Sequence, residues 1–496
     1  MKSLSVTAEK NNTKKKSSRI EAAVKALTAA VLEDLPVDAE FGEFEKTLLE
    51  VSNDVGRRVL SNQLERIARR YDMEFILIDG IRHKRHELGE VEYHSLCGSM
   101  KVSRYTYRQV GVHNGPTAVP MELAAGILER ARPALAFRAA LGDAQCPSRQ
   151  WEEQLHASCR QPPSRSTLER IAKKIGDAVR KAAPEIVPLI RIEEEAHKNA
   201  VALSIGLDRT TIPMEEPLRK GDIRDPSLKR RKKPYVRKPP HPVEVNYRMA
   251  YVGTVSAIDE DGESVHTYKY GCSADVDPKD ILKMMTDDLL HLQRKRKSSR
   301  LPKMPIGIVQ DGAPEMWNLV ESALSTAMPG IEVQRGIDRY HLTERLSESL
   351  KSLRDPFSRD RERTLNEWRT MLENRDDAID VIEKLLIKEM NGDKKRKELS
   401  AAKEEILRSH LTYIKNNKQY MRYASLRKSG IPTGSGSTEG ACKSLVMIRT
   451  KGCGQRWHSR GVNAVLSLRA LYMSDRLHRF WTAMSKRREV NIQEAA

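Results

Sequence analysis

The order of apolar and polar positions predicts a helical N-terminal region that is followed by a β-hairpin. From Glu21 to about Leu88, apolar residues recur every three or four positions, as on one face of a helix. Residues 91–112 instead alternate in the manner of a strand pair. We therefore expect helices over residues 20–90 and a hairpin at the start of the segment 91–200.

A second helical pattern begins near Ser166 and has a basic face. Ser166 and Glu169 have the spacing of a capping box. The apolar stripe behind them consists of Leu168, Ile171, Ala172, Ile175 and Val179. The opposite face carries Arg165, Thr167, Arg170, Lys173 and Lys174. Together with the helical pattern before the break at residues 159–163, this favours a helix-turn-helix-like unit that reads the DNA major groove, or equally a helical hairpin with a solvated charged face.

From Val201 onward the pattern becomes that of an α/β domain. Predicted strands cover Ala202–Asp208, Met249–Ile258, Ser264–Gly271, Pro305–Gln310 and Ile331–Arg335. Predicted helices cover Asp280–Arg296 and Glu315–Ala327. A basic, proline-rich loop at residues 218–242 separates the first two strands. This order predicts a mixed sheet over residues 201–342.

The rest of the chain is predicted to be helical with one glycine-rich interruption. Residues 343–425 are strongly charged with apolar positions at helical spacing, which indicates an all-α insertion. Gly430–Gly436 forms a loop, a helix begins at about Thr438, and an apolar helix follows at Val462–Met473. We expect residues 426–496 to complete the α/β domain.

Composition favours a globular protein with a polyanionic partner. The 496 residues have a net charge of +19, with 31% charged and 39% hydrophobic residues. No apolar run has the ~18 residues that a transmembrane helix needs. Residues 1–19 are basic, lack the apolar core of a signal peptide and are expected to be a disordered tail, so we expect a cytoplasmic, nucleoid-associated protein without a membrane partner. The six cysteines form no C-x-x-C pair and are expected to be reduced thiols.

Three carboxylates occupy positions at which chemistry is expected. Asp208 ends the first predicted strand, Asp311 follows the fourth, and Glu439 lies in the first turn of the helix after the glycine loop. Acids at strand ends converge on one edge of an open sheet, and crowded carboxylates require compensating cations. Oxygen ligands favour Mg²⁺ or Mn²⁺, and two ions ~4 Å apart suit phosphodiester chemistry. Each acid alone also fits a turn cap or a helix-dipole position.

Basic residues outside the predicted reading helix supply further DNA-binding candidates. The loop at residues 218–242 contributes Arg230, Arg231, Lys232 and Lys233. The segment after Glu439 contributes Arg449, Lys451, Arg456 and Trp457. Cations beside an aromatic ring suit a nucleic-acid backbone groove, whereas Trp457 equally fits a core position.

Four motifs resemble those of the DDE transposases of bacterial insertion sequences. They are I-G-L-D-R-T at residues 205–210, V-Q-D-G-A-P-E-M-W at 309–317, D-R-Y-H-L at 338–342 and G-S-G-S-T-E-G-A-C-K at 434–443. R-T-K-G-C-G-Q-R-W at 449–457 fits the same group, and D-R-Y-H is similar to a signature of Mutator-like relatives. The resemblance covers about the C-terminal 300 residues in order.

This resemblance implies an RNase H-like catalytic domain with an all-α insertion, preceded by a mainly helical DNA-binding region. It implies that Asp208, Asp311 and Glu439 bind two Mg²⁺ or Mn²⁺ ions, with Asp338 and His341 in support. The implied activity is metal-dependent cleavage and strand transfer at the terminal inverted repeats of a mobile element. Expected partners are the element ends, target DNA and further copies of the chain in a dimer or larger assembly. A non-catalytic, transposase-derived DNA-binding regulator and an RNase H-like nuclease are the alternatives.

Overall fold

The computed structural model describes residues 3–34, 40–217, 243–273, 275–353, 359–395, 399–487 and 491–495. The chain divides into two compact units. The first consists of Met1–Ala136, Ser148–Leu168 and Glu489–Ala496, and the second of Phe137–Pro147 and Glu169–Arg488. The residues predicted as DNA contacts at 230–233 lie outside the described residues.

The elements up to residue 193 include four strands, and the first of them pairs with a strand from the C-terminus. In chain order they are α1 Ser3–Asp34, α2 Phe41–Arg70, β1 Phe75–Ile78, β2 Ile81–Ser95, β3 Gly98–Gln109, β4 Thr117–Ala118, α3 Pro120–Ala124, α4 Pro133–Gln145, α5 Ser148–Ala157 and α6 Arg165–Glu193. The C-terminal strand β10, Ile492–Glu494, adds to β1 and gives an antiparallel sheet with the order β10-β1-β2-β3-β4.

Two small cores hold this sheet together. Ile76, Ile78 and Tyr107 form one core on β1 and β3. Leu64 of α2 packs with Tyr93 and other residues of the β2–β3 hairpin in the second. The hairpin turns tightly at Gly98, whose φ of 112° is open to glycine and strained for other residues.

Two predictions for the N-terminal region are wrong. Residues 75–78 and 81–88 are strands, although residues 20–90 were expected to be helical, and the mainly helical N-terminal region therefore contains a sheet. All four residues of the run F-I-L-I are apolar, so its hydrophobic periodicity cannot distinguish a short strand from a helix. The helix α1 begins at Ser3, within the segment 1–19 that was expected to be a disordered tail.

The predicted reading helix is present, but it begins earlier and extends further. Its apolar stripe is buried as expected, at Leu168, Ile171, Ala172, Ile175 and Val179. The helix α6 begins at Arg165, so Ser166 lies inside the first turn and the predicted capping box is wrong. The backbone carbonyl of Ser164 instead accepts the N–H of Leu168 at 3.0 Å.

The second unit is built around a mixed five-stranded sheet. Its elements up to residue 337 are β5 Ala202–Pro217, β6 Val243–Ile258, β7 Ser264–Ser273, α7 Lys279–Ser298, β8 Ile306–Gln310, α8 Pro314–Ala327 and β9 Val333–Ile337. The order is β7-β6-β5-β8-β9. The strands β5, β6 and β7 are antiparallel, whereas β8 and β9 run parallel to β5. The mixed α/β class predicted from the sequence is confirmed.

Burial explains why the inner strands form where the sequence predicts them. All five residues of β8, I-G-I-V-Q, are buried, as expected for a parallel strand that is covered on both faces. The last strand was predicted at Ile331–Arg335 but lies at Val333–Ile337, directly before Asp338. This shift of two residues brings Asp338 to the end of the strand.

Helices occupy the described part of the predicted all-α insertion and the C-terminal region. The first group is α9 Arg339–Leu353, α10 Arg359–Asn374, α11 Ala378–Lys395, α12 Ala401–Asn417, a 3₁₀ turn Lys418–Tyr420 and α13 Tyr423–Lys428. The second group is α14 Gly436–Ala441, a π-helical turn Cys442–Met447, α15 Ile448–Thr450, α16 Ser459–Met473 and α17 Leu477–Arg487.

A buried ion network connects four parts of the second unit. Arg476, before α17, donates to Glu194 at 2.7 Å and to Asp288 of α7 at 2.8 Å. Arg191 of α6 donates to the same Asp288 at 2.6 Å, and the hydroxyl of Tyr270 on β7 also donates to it. Because these charges are removed from water, each depends on its partners for compensation.

We expect Arg476→Met to lower the free energy of unfolding by about 3–5 kcal/mol, because Glu194 and Asp288 would remain buried with less compensating charge. Urea unfolding at neutral pH measures the change. Arg479→Met removes an exposed arginine three residues away and should change stability by no more than about 0.5 kcal/mol. Equal losses in the two variants would contradict a stabilising role for the network.

The same network predicts acid sensitivity. Burial raises the pKa of Asp288, but the hydrogen bonds and charges of Arg476 and Arg191 outweigh burial and hold that pKa below its ordinary 3.8. A lowered folded-state pKa gives stability that is present above the unfolded pKa and is lost as the pH falls through the folded one. Urea unfolding should therefore show stability that declines below about pH 4, with a weaker decline in Arg476→Met.

Candidate functional site

Three aspartates stand in one row across the parallel strands. The register pairs Ile205 of β5 with Ile308 of β8, and Ile308 with Arg335 of β9. Three residues further along each strand come Asp208, Asp311 and Asp338. Because adjacent strands lie about 4.8 Å apart, this register places the acids side by side where β8 and β9 end. The prediction that the first strand ends at Asp208 is wrong, because β5 continues to Pro217.

Asp208 occupies the middle of a polar, half-buried environment. Its Oδ1 accepts the backbone N–H of Arg209 at 2.7 Å, and its Oδ2 accepts the thiol of Cys442 at 3.4 Å. Burial raises the pKa of Asp208, and the charges of Asp311 and Glu439 raise it further. Asp311 and Glu439 are therefore close enough to Asp208 to affect its ionisation.

A glycine in β5 lets the helix α14 approach the sheet. A Cβ added at Gly206 would collide with Oγ1 of Thr438, so only glycine fits at this position. The hydroxyls of Thr438 and Thr254 on β6 form a buried hydrogen bond of 2.7 Å. These contacts fix Glu439, the next residue, beside β5, the strand that carries Asp208.

The Glu439 carboxylate is in contact with a hydroxyl and an imidazole. Its Oε1 lies 3.1 Å from Oγ of Ser435 and 3.3 Å from Nε2 of His341. The other ring nitrogen of His341 lies 3.3 Å from Oε2 of Glu344. His341 therefore bridges two carboxylates, which orients its ring toward Glu439.

Asp338 is a buried carboxylate whose oxygens are occupied by the protein itself. It is 1% exposed. Its Oδ1 accepts the backbone N–H groups of Tyr340 at 2.6 Å and His341 at 3.0 Å, at the start of α9. Its Oδ2 accepts the hydroxyl of Ser435 at 2.6 Å and the Ser435 N–H. Asp338 thus joins α9 to the loop before Glu439 and acts as a positioning residue.

The donor atoms fit a cation. Among the described residues, Asp338, His341 and Glu439 offer ligand atoms that all lie within 4.8 Å of one another. The single proton of the Ser435 hydroxyl cannot satisfy Asp338 and Glu439 together, and the shorter contact is to Asp338. Beside the shared hydroxyl, Glu439 has His341 as its neighbour, at 3.3 Å. Hydrogen bonds from the protein also reach both oxygens of Asp208 and one oxygen of Asp311.

A tyrosine from the helical insertion holds the Asp311 turn. The hydroxyl of Tyr413 on α12 donates to the carbonyl of Asp311 at 2.9 Å. The next residue, Gly312, has a φ of 93°, and a Cβ there would lie 3.3 Å from the Tyr413 hydroxyl. The guanidinium of Arg345 covers the Tyr413 ring at 4.1 Å. This role could not be predicted from the sequence, because Tyr413 lies 102 residues from Asp311 and belongs to no motif.

An ion pair lies beside Asp208 on the exposed side of the sheet. Arg209 contacts Glu315 of α8 at 2.6 Å, and the hydroxyl of Tyr251 lies 3.4 Å from the same carboxylate. Glu315 belongs to the V-Q-D-G-A-P-E-M-W motif, but its pairing with Arg209 was not anticipated. This pair places a cation next to the row of aspartates.

The structure separates the predicted DNA contacts into exposed and structural residues. Arg165, Arg170, Lys173 and Lys174 of α6 are exposed and Thr167 is half-buried. Lys451 and Arg456 are also exposed.

The prediction that Arg449 contacts DNA is wrong, because Arg449 is 5% exposed and pairs with Asp143 at 2.8 Å. Trp457 is likewise committed to the fold. Its indole N–H donates to the carbonyl of Thr450 at 3.1 Å, and its ring packs on the core around Ile212 and Leu466. The prediction of a base-stacking Trp457 is therefore replaced by the core position that the sequence equally allowed.

All six cysteines are free, as expected. In the part of the chain that the structure describes, no helix combines the length and apolar character needed to cross a bilayer. No protein-family model matches the chain, and no curated protein matches it.

Proposed function

We propose that the chain is a DDE-type transposase that cleaves and joins DNA at the ends of a mobile element in a metal-dependent reaction. The observation that carries this proposal is the row formed by Asp208 and Asp311 on adjacent parallel strands, with Glu439 close enough to raise the pKa of Asp208. Crowded carboxylates at a strand edge are stabilised by divalent cations, and phosphodiester chemistry uses such cations.

The topology supports an RNase H-like domain as the framework of this site. The sheet combines an antiparallel half, β7-β6-β5, with a parallel half, β8-β9. The helices α9–α13 lie in the chain between β9 and the helix of Glu439, where the resemblance to DDE transposases implies an insertion. Tyr413 of this insertion contacts Asp311, so the insertion contributes to the geometry of the acids.

The residues at the site have distinct tasks in the proposed reaction. Asp208, Asp311 and Glu439 would hold two Mg²⁺ or Mn²⁺ ions. When bound, such ions activate the attacking oxygen and stabilise the leaving oxygen. His341 orients Glu439, and Asp338 fixes the loop of Ser435 that precedes it. No group in this arrangement is required to form a covalent bond to DNA.

The proposed partner is double-stranded DNA, comprising the terminal inverted repeats and the target. Exposed cations on α6 and in the segment after Glu439 suit contacts to the phosphate backbone, and the net charge of +19 favours a polyanion. Because two ends must be held together for joining, we expect a dimer or a larger assembly on DNA.

An RNase H-like nuclease is the second candidate, because the same row of acids and the same metals would serve it. The two functions differ in their substrates. A transposase acts on DNA that carries paired element ends, whereas a nuclease of this kind cleaves substrates that lack inverted repeats. A comparison of plasmids with and without the DNA that flanks the reading frame distinguishes them.

We expect Asp208→Asn, Asp311→Asn and Glu439→Gln each to reduce Mg²⁺-dependent cleavage by about 10³-fold or more, equivalent to about 4 kcal/mol at the transition state. Gel assays on a plasmid carrying the DNA that flanks the reading frame measure the rate. Asp261→Asn, in an exposed hairpin turn, is the matched control and should cleave as the parent does. Parent-like cleavage by the three site variants would reject the proposed catalytic site, and DNA binding without cleavage by the parent would indicate the regulator.

Asp338→Asn tests the difference between positioning and metal binding. The variant retains an acceptor for α9 but weakens the link to Ser435, so we expect a 10–100-fold loss of cleavage and a higher Mg²⁺ concentration for half-maximal rate. Ser435→Ala removes the hydroxyl bond of this link, keeps the backbone N–H bond and removes no carboxylate, and it should shift the Mg²⁺ requirement in the same direction. A loss for Asp338→Asn as large as that for Asp311→Asn, with Ser435→Ala unaffected, would assign Asp338 to the metal instead.

A further inference from the structure

The sheet of the first unit has a cationic face that crosses three strands. Lys84 on β2 stands directly opposite Phe75 on β1 and directly opposite Arg108 on β3. Residues that face each other across a ladder share one side of the sheet, and Arg82, two positions before Lys84, shares it as well. We call Phe75, Arg82, Lys84 and Arg108 the cationic face.

This face points away from the nearby core. The neighbouring positions Ile76 and Ile78 of β1 are buried together with Tyr107 of β3, so the alternate positions lie on the other side. Arg82 and Lys84 are exposed, whereas Phe75 and Arg108 are half-buried. The cations are therefore accessible to a large ligand.

The arrangement is electrostatically unfavourable without such a ligand. Like charges directly opposite each other destabilise a sheet, and Lys84 and Arg108 are such a pair. Glu74, 3.8 Å from Nζ of Lys84, offsets part of the charge. Nε of Arg108 is buried and has no hydrogen-bond partner within the described residues. An external anion beside Lys84 and Arg108 would relieve the repulsion.

An aromatic ring holds two of the cations in place. The guanidinium of Arg82 lies 4.4 Å from the centroid of the Phe75 ring, and Nζ of Lys84 lies 5.5 Å from it. Cation–π contacts limit the freedom of these long side chains, so less entropy is lost when they bind a ligand. An arginine also offers paired donors that match a phosphate.

We propose that the cationic face binds the phosphate backbone of duplex DNA. The inference rests on the proposed function, because it assumes that the chain binds DNA, and it adds a contact surface in the first unit that no motif indicated. Its three cations would each neutralise a phosphate and release counterions. The face carries no groups arranged to read bases, so it is expected to anchor DNA irrespective of sequence.

Fluorescence anisotropy of the full chain with a labelled 30-base-pair duplex of arbitrary sequence tests this proposal across a salt series. The variant Arg82→Gln, Lys84→Gln, Arg108→Gln should lower the slope of log K against log salt by about 2.7, at about 0.9 per lost phosphate contact. Its melting temperature should equal or exceed that of the parent, because the like-charge pair is removed. If the triple variant does not fold, Lys84→Gln alone should lower the slope by about 0.9.

A charge-matched control removes three exposed cations that lie elsewhere in the same unit. Arg58, Arg69 and Lys101 lie 2.7, 3.6 and 3.7 Å from carboxylates and are at least 70% exposed. Changing these three to Gln should alter the slope by less than about 0.9. Equal slopes for the two triple variants would overturn the proposal and leave the proposed function intact. No binding of the duplex by the parent chain would overturn both.

Discussion

The candidate site depends on the register of three parallel strands. The pairing of Ile205 with Ile308, and of Ile308 with Arg335, sets three aspartates in one row. A slip of one residue in either pair would turn one aspartate to the opposite face of the sheet. The slip is prevented because both faces of β8 are buried, so a shifted register would place side chains of the wrong size into the packing on each face. At Gly307, for example, any Cβ would collide with Ile431.

The row brings acids together that would otherwise repel one another, and the surrounding structure is organised to tolerate them. Asp338 avoids the cost of burial by accepting four hydrogen bonds from α9 and from Ser435. Glu439 is brought in from outside the sheet, on a helix that Gly206 allows to lie close to β5. One aspartate of the row, Asp338, therefore links the elements that position the other acids.

Local patterns in the sequence predicted the strands of the second unit and the three acids, but not the packing around them. The pattern indicated Asp208 and Asp311 because each follows an apolar strand. It could not reveal the register, the shared Ser435 or the hydrogen bond of Tyr413, since these join residues about a hundred positions apart. The strands β1 and β2 were missed because a short apolar run has no distinctive period, and Arg449 was misassigned because composition does not report burial.

The positions of the cations explain why net charge alone cannot locate a DNA surface. Arg449, Arg469 and Arg476 are all nearly buried, and they donate to carboxylates or to backbone carbonyls inside the second unit. Such residues contribute to the charge of +19 but belong to the scaffold. Lys84 and Arg108 differ because each stands opposite another cation. A buried cation is held in place by its carboxylate or carbonyl partners, whereas an exposed cation that stands opposite its own sign gains from an additional anion. The groups that surround each cation, and not the net charge of the chain, therefore distinguish cations that stabilise the domain from those proposed to bind DNA.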